Sequence, residues 1–277
     1  MRNALRGQTV LVTGGGSGLG RLMALGAAER GARVIVWDLN GGAAASVRDE
    51  ILARGGWALS DAVDVSDRNA VAAAALGAGS VDVLINNAGV VTGRNLMDAS
   101  DEQIERTFAV NVMPLYWVTR AFLGGMIEKG RGTVVTMASA AGLVGVAKQT
   151  DYAASKWAAI GFAESLRAEM AKEHAGVTSL VVCPYYISTG MFEGVQTKFP
   201  LLLPIMEPEP VVEKILNSIE AGREQLIMPP FVRVMPIVRM LPPKAFDAVI
   251  NYFGINSGMD HFVGRATAPK SGAPRGS

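Results

Sequence analysis

Tyr152 and Lys156 stand four residues apart in SAAGLVGVAKQTDYAASK, the stretch from Ser139 to Lys156. In a helix that spacing puts both side chains on one face, a turn apart. An ammonium beside a phenol favours the phenolate and lowers its pKa. A tyrosine tuned in that way exchanges a proton with an alcohol or a ketone near neutral pH. Ser139 lies just past the apolar run Gly132 to Met137, so its hydroxyl is placed to hydrogen-bond the same reacting oxygen. Taken alone, the pair is better explained by an ordinary amphipathic helix with an exposed Tyr and Lys. The earlier part of the chain decides between the two readings.

Positioning such a pair takes a scaffold, and the scaffold begins near the amino end. Gln8 to Thr13 is a short β-rich run, followed at once by GGGSGLG from Gly14 to Gly20. Arg21 to Arg30 has helical composition and ends at Gly31; the apolar run Arg33 to Trp37 and the acid Asp38 come next. Glycines let the backbone turn tightly and approach a pyrophosphate, while a helix N-terminus supplies N–H donors. The candidate contacts are Gly14, Ser17, Gly18, Leu19 and Gly20. An acid closing the second strand suits the hydroxyls of an adenosine ribose and repels a 2′-phosphate. Asp38 therefore points to NAD rather than NADP. A glycine turn with no ligand is the alternative, and the strand–helix–strand context counts against it.

The spacing Gly14-x-x-x-Gly18-x-Gly20, taken with Tyr152-x-x-x-Lys156, resembles the short-chain dehydrogenase/reductase family over about Leu5 to Gly190. The resemblance implies a Rossmann-like, doubly wound α/β fold with a mainly parallel seven-stranded sheet. It implies that Asp64 and Val65 contact adenine and that Asn87, Ala88 and Gly89, in the NNAG element, border the cofactor. It also implies that Ser139, Tyr152 and Lys156 are catalytic, with Asn111 holding a water in the proton relay. Pro184 and Thr189 match a loop against the nicotinamide, although Tyr185 stands where the family often has glycine. A looser resemblance, carried by CPYYISTGMF and the apolar later text, is to retinol dehydrogenases and 17β-hydroxysteroid dehydrogenases. Family members commonly form dimers or tetramers, so a homodimer or homotetramer is expected.

Composition narrows the remaining classes. The 277 residues carry 26 basic and 25 acidic side chains, dispersed to a net charge of +1, which gives no nucleic-acid surface. One cysteine, Cys183, excludes an internal disulfide, and two histidines with no Cys/His cluster argue against a metal. No run is long enough to span a bilayer, and the start has no signal-peptide core, so a cytoplasmic protein is expected.

One domain is expected over residues 1–266, with a substrate loop at about 188–210 and an apolar C-terminal segment at 231–263. A Pro/Gly/Ser-rich tail, 267–277, reads as disordered. The alanine-rich text between Asp67 and Val81 is short, and a truncated or irregular helix is expected there. The segment Phe231 to Phe253 is apolar with interspersed cations. It reads as a cover for the substrate mouth, a subunit contact or a peripheral membrane contact.

The functional expectation is an NAD-dependent oxidoreductase interconverting a secondary or allylic alcohol and its carbonyl on a bulky apolar substrate, a hydroxysteroid or retinoid. Expected substrate contacts are Ser139, Tyr152, Val144, Tyr185, Met191 and Phe192, with Leu143, Val146, Tyr186, Phe199 and Leu201 to Leu203 as further wall residues. An NADPH-dependent reductase of small ketones is the rival enzyme. A non-catalytic nucleotide-sensing scaffold is the rival from another class.

Overall fold

The computed structural model describes residues 5–264; the expected tail lies outside them. The first half alternates strand and helix: β1 (Thr9–Thr13), α1 (Gly18–Glu29), β2 (Arg33–Asp38), α2 (Gly41–Ala53), β3 (Trp57–Ala62), α3 (Arg68–Ala78) and β4 (Val83–Asn86). Then come α4 (Asp101–Asn111), α5 (Met113–Glu128), β5 (Gly132–Met137), α6 (Thr150–Glu173) and β6 (Val177–Pro184). The chain continues through α7 (Pro208–Glu220), β7 (Gln225–Met228), α8 (Met235–Val238) and α9 (Pro243–Tyr252). The strands form one sheet in the order β3-β2-β1-β4-β5-β6-β7, every pair parallel. This is a Rossmann-like doubly wound sheet.

Alternation along the strands explains the two layers of helices. Val10, Val12, Val34, Val36, Val83 and Ile85 pack against residues of α1, α2 and α7. Leu11, Ile35, Trp37 and Leu84 face the other way, among residues of α3, α5 and α6. Strands covered on both sides are apolar throughout, as the central strands of parallel sheets must be.

Two helices differ from the sequence reading. α3 is regular over 11 residues, not truncated or irregular. Asp67 caps it by accepting from Asn69 N and Ala70 N, its alanines are strong helix formers, and Gly79 stops it at φ 66°. The stretch Gln103 to Arg120 has the composition of one helix but forms parts of two. The break falls at Val112, because Pro114 in the first turn of α5 has no N–H to continue α4.

A third cluster joins the reacting end of the fold to the C-terminal segment. Tyr152, Val144 and Tyr186 pack with Val232, Met235, Ile250, Ile255 and Met259. These contacts place the segment against the chamber beside Tyr152. It is tied down by Lys148–Asp260 at 2.9 Å, Val263 N to Glu193 O at 2.9 Å, and Phe262 seated over Gly93. Among the described residues no helix is long and apolar enough to cross a membrane.

Candidate active site

Strand order reverses between β1 and β4, and ligand crevices in such sheets form beyond the carboxyl ends at that point. A cleft of about 250 Å³ opens there. Asn87 fastens the glycine turn to the end of β4: its Nδ2 donates to Thr13 O at 3.0 Å and Gly14 O at 3.1 Å. The backbone N–H groups of Asn87 and Ala88 donate to Thr13 Oγ1. Gly14 holds φ 62°, a conformation that favours glycine. A side chain on Gly20 would collide with Gly14 O. The turn thus runs close beneath the cleft, with the N-terminus of α1 directed at it.

Asp38 is fixed by the same turn. Its Oδ2 accepts from Gly16 N and its Oδ1 from Asn40 N, both at 2.9 Å. Each oxygen keeps a further lone pair for a ligand hydroxyl. Gly14, Ser17, Leu19, Gly20, Asp38, Asp64 and Val65 line one end of the cleft. Asn87, Ala88, Gly89, Pro184 and Thr189 line its middle and far end, where Ser139, Tyr152, Lys156, Tyr185, Met191 and Phe192 also stand.

Of the expected catalytic and cofactor-binding residues, two do not line the cleft. Gly18 serves the turn itself, at φ 52°. Asn111 lies behind the wall, 3% exposed, with its amide fully engaged by protein. Its Nδ2 donates to Val90 O and Ser155 Oγ, both at 3.0 Å, and its Oδ1 accepts from Val90 N at 2.8 Å. In this conformation it pins the loop after β4 to α6.

The sequence profile of the short chain dehydrogenase family matches residues 8–199. The chain belongs to the short-chain dehydrogenase family. It is 42% identical over 275 residues to mouse epidermal retinol dehydrogenase 2, covering 95% of this chain and 88% of that protein. It is 34% identical over 268 residues to estradiol 17-beta-dehydrogenase 11 of Macaca fascicularis, covering 95% and 88%. Among solved structures, a short-chain dehydrogenase/reductase from Burkholderia phymatum in complex with NAD superposes with TM-score 0.76 at 27% identity, covering 85% of this chain and 93% of that one.

The dehydrogenase cleft fits a nicotinamide dinucleotide: a side-chain-free turn at a helix N-terminus, an acid at the ribose position and a tyrosine–lysine pair at the other end. Lys156 Nζ lies 5.6 Å from the centre of the Tyr152 ring and donates to Met137 O at 2.8 Å. Ser139 Oγ donates to Pro184 O at 3.5 Å and accepts from Ala141 N. Burial pushes the Tyr152 phenol up to about 12, with the Ser139 hydroxyl working weakly the other way. Burial likewise pulls the Lys156 ammonium down to about 8. The expected lowering of the phenol's pKa by lysine is therefore not met in the resting chain. The ammonium is committed to the Met137 carbonyl oxygen, and desolvation sets the direction for the phenol.

The expected wall is partly corrected. Val144, Val146, Tyr185, Tyr186, Phe192 and Leu203 line a smaller chamber of about 30 Å³ behind Ser139 and Tyr152. Leu201 instead is 99% exposed and Leu202 half-exposed, because only Leu203 of that run turns inward. The sequence reading missed Gln149, Val232, Met235 and Ile255 in the chamber, and Arg106 and Val110 in the cleft. Arg106 and Val110 precede Asn111 at helical spacing, a signal that places them on one face. The C-terminal residues carry no comparable local signal.

Proposed function

We propose that the protein is an NAD-dependent oxidoreductase that interconverts a secondary or allylic alcohol and its carbonyl on a bulky apolar substrate, a hydroxysteroid or a retinoid. The observation that carries this reading is the single cleft joining Asp38 to Ser139, Tyr152 and Lys156, with an apolar chamber directly behind them. The names of the retinol and estradiol dehydrogenase relatives support the substrate class. Subunit pairing through α4, α5 and α6 is part of the proposal; half-exposed Met113, Tyr116 and Trp157 on those helices support it.

Bound nicotinamide supplies the hydride acceptor or donor. The chain does the rest. Ser139 holds the substrate oxygen, and Tyr152 carries its proton. With a pKa near 12 the resting phenol is protonated at neutral pH, ready to donate to a carbonyl oxygen. As a base the phenol must first give up its proton, which alkaline conditions favour, so alcohol oxidation rises with pH while ketone reduction does not. Asn111 holds the loop after β4 and the start of α6 in register, which fixes where Tyr152 points. The apolar wall stabilises a lipid-like substrate by about 25 cal/mol per Å² of buried surface.

The test is a panel of steroid, retinoid and aryl alcohols assayed with NAD⁺ and NADP⁺, following absorbance of the reduced dinucleotide. Apolar alcohols with NAD⁺ are expected to turn over fastest, and Asp38→Ser is expected to narrow the preference between the dinucleotides. A wild-type preference for NADP⁺ refutes the role given to Asp38.

A further inference from the structure

Gln149 sits three residues before Tyr152, in the wall of the small chamber, and is 1% exposed. Apart from Ser139 and the tyrosines, the other lining residues are apolar, among them Val144, Leu203, Val232, Met235 and Ile255. A primary amide offers two N–H donors and a carbonyl oxygen. Among the described residues the Gln149 side chain makes one hydrogen bond: Nε2 donates to Tyr186 Oη at 3.2 Å. That bond leaves the second amide hydrogen, and the hydroxyl hydrogen of Tyr186, for another acceptor. Tyr186 is 8% exposed, and burial holds its phenol in the protonated, donating form. Tyr152 is near enough to push the Tyr186 phenol further in the same direction.

Amide capacity left unused in an apolar wall is unfavourable. A ligand oxygen that accepts from both donors removes that cost. The chamber, at about 30 Å³, admits a compact group, since a water-sized occupant needs about 10–15 Å³. No cation lines it, so a carboxylate would be buried unpaired. We infer that Gln149 and Tyr186 together bind a neutral acceptor oxygen of the substrate, and that the preferred substrate is an apolar hydroxy ketone. Its hydroxyl lies at Ser139 and Tyr152, and its carbonyl oxygen at Gln149 and Tyr186. The inference rests on the alcohol-oxidoreductase reading above and narrows its substrate class.

The experiment uses two alcohols of one carbon skeleton, one with a ketone close to the carbinol carbon and one with a methylene there. Wild type is expected to favour the keto compound in kcat/KM by about tenfold, the scale of one neutral hydrogen-bonded group, chiefly through KM. In Gln149→Leu that ratio is expected to fall to near one, and in Tyr186→Phe to an intermediate value. A wild-type ratio near one overturns the inference. So does a ratio that survives Gln149→Leu while both rates drop, because a merely structural residue moves the two substrates together. If Gln149→Leu does not fold, Tyr186→Phe carries the test, and an unchanged ratio there overturns the inference. If wild type turns over neither compound, the alcohol reading fails, and thermal stabilisation by the two compounds decides the binding claim separately. Equal stabilisation then overturns it, and greater stabilisation by the keto compound sustains it.

Discussion

Replacing Lys156 by methionine is expected to destroy activity and to stabilise the protein in the absence of dinucleotide. The lysine is 6% exposed, and burial lowers its pKa from 10.5 to about 8. At about 1.4 kcal/mol per pH unit, holding that ammonium in the fold costs about 3 kcal/mol. Losing its hydrogen bond to Met137 O returns about 1 kcal/mol of that. The net gain of about 2 kcal/mol corresponds to a rise in Tm of about 4–8 °C for a chain of this size. The pH dependence identifies the cause. Between pH 8 and 10.5 the unfolded chain holds the proton that the folded lysine has released, so wild-type stability gains on the variant as pH rises through that window. Cys183 and Tyr152 are both pushed up to about 12, and they lower stability at alkaline pH in both proteins. The difference between the two curves therefore isolates the lysine to first order. Differential scanning fluorimetry and urea unfolding at pH 7, 8, 9 and 10 are the assays. A variant no more stable than wild type at pH 7, or an advantage that stays constant to pH 10, refutes the reasoning.

Tyr152→Phe is expected to cut turnover by about a hundred- to ten-thousandfold, the usual scale of positioned proton transfer, while NADH still binds by fluorescence titration. Turnover near the wild-type rate removes the phenol from the proton path. Gly20→Ala is expected to weaken NADH binding by more than tenfold. Its Cβ would collide with Gly14 O and lie 2.6 Å from Asn87 Nδ2, although alanine would otherwise favour the helix by about 1 kcal/mol. Unchanged affinity there means the turn yields without cost. Gly93→Ala, at φ 68° and directly against the Phe262 ring, is expected to destabilise by about 1–3 kcal/mol, the range for forced overpacking. That cost should shrink in a Phe262→Ala background, and equal costs in both backgrounds would show the two residues to be uncoupled.

The glycine turn, Asp38 and the tyrosine–lysine pair were legible because each rests on contacts within a few residues. A helical turn sets Tyr152 beside Lys156, and one strand–helix–strand unit sets Asp38 beside Gly16. The seven-stranded parallel sheet was legible through the family resemblance, with Gln8 to Thr13, Arg33 to Trp37 and Gly132 to Met137 standing out as separate apolar runs. The chamber was legible only in part. Val232, Met235 and Ile255 reach Tyr152 from about a hundred residues further along, and nothing local in their text says which side of the fold they cover. Leu201 to Leu203 shows the limit again: three identical side chains, of which one turns inward. The pKa of Tyr152 went against the sequence reading because spacing reports proximity but not desolvation.

The seat of Phe262 over Gly93 has a practical consequence for handling the protein. Leu5 precedes β1 and so leaves the sheet from the edge opposite the cleft, where its N–H meets the Glu220 carboxylate. Gly264, the last described residue, instead follows the ring of Phe262, which packs near Phe192. An affinity handle fused at the amino end therefore starts away from the Phe262–Phe192 contact.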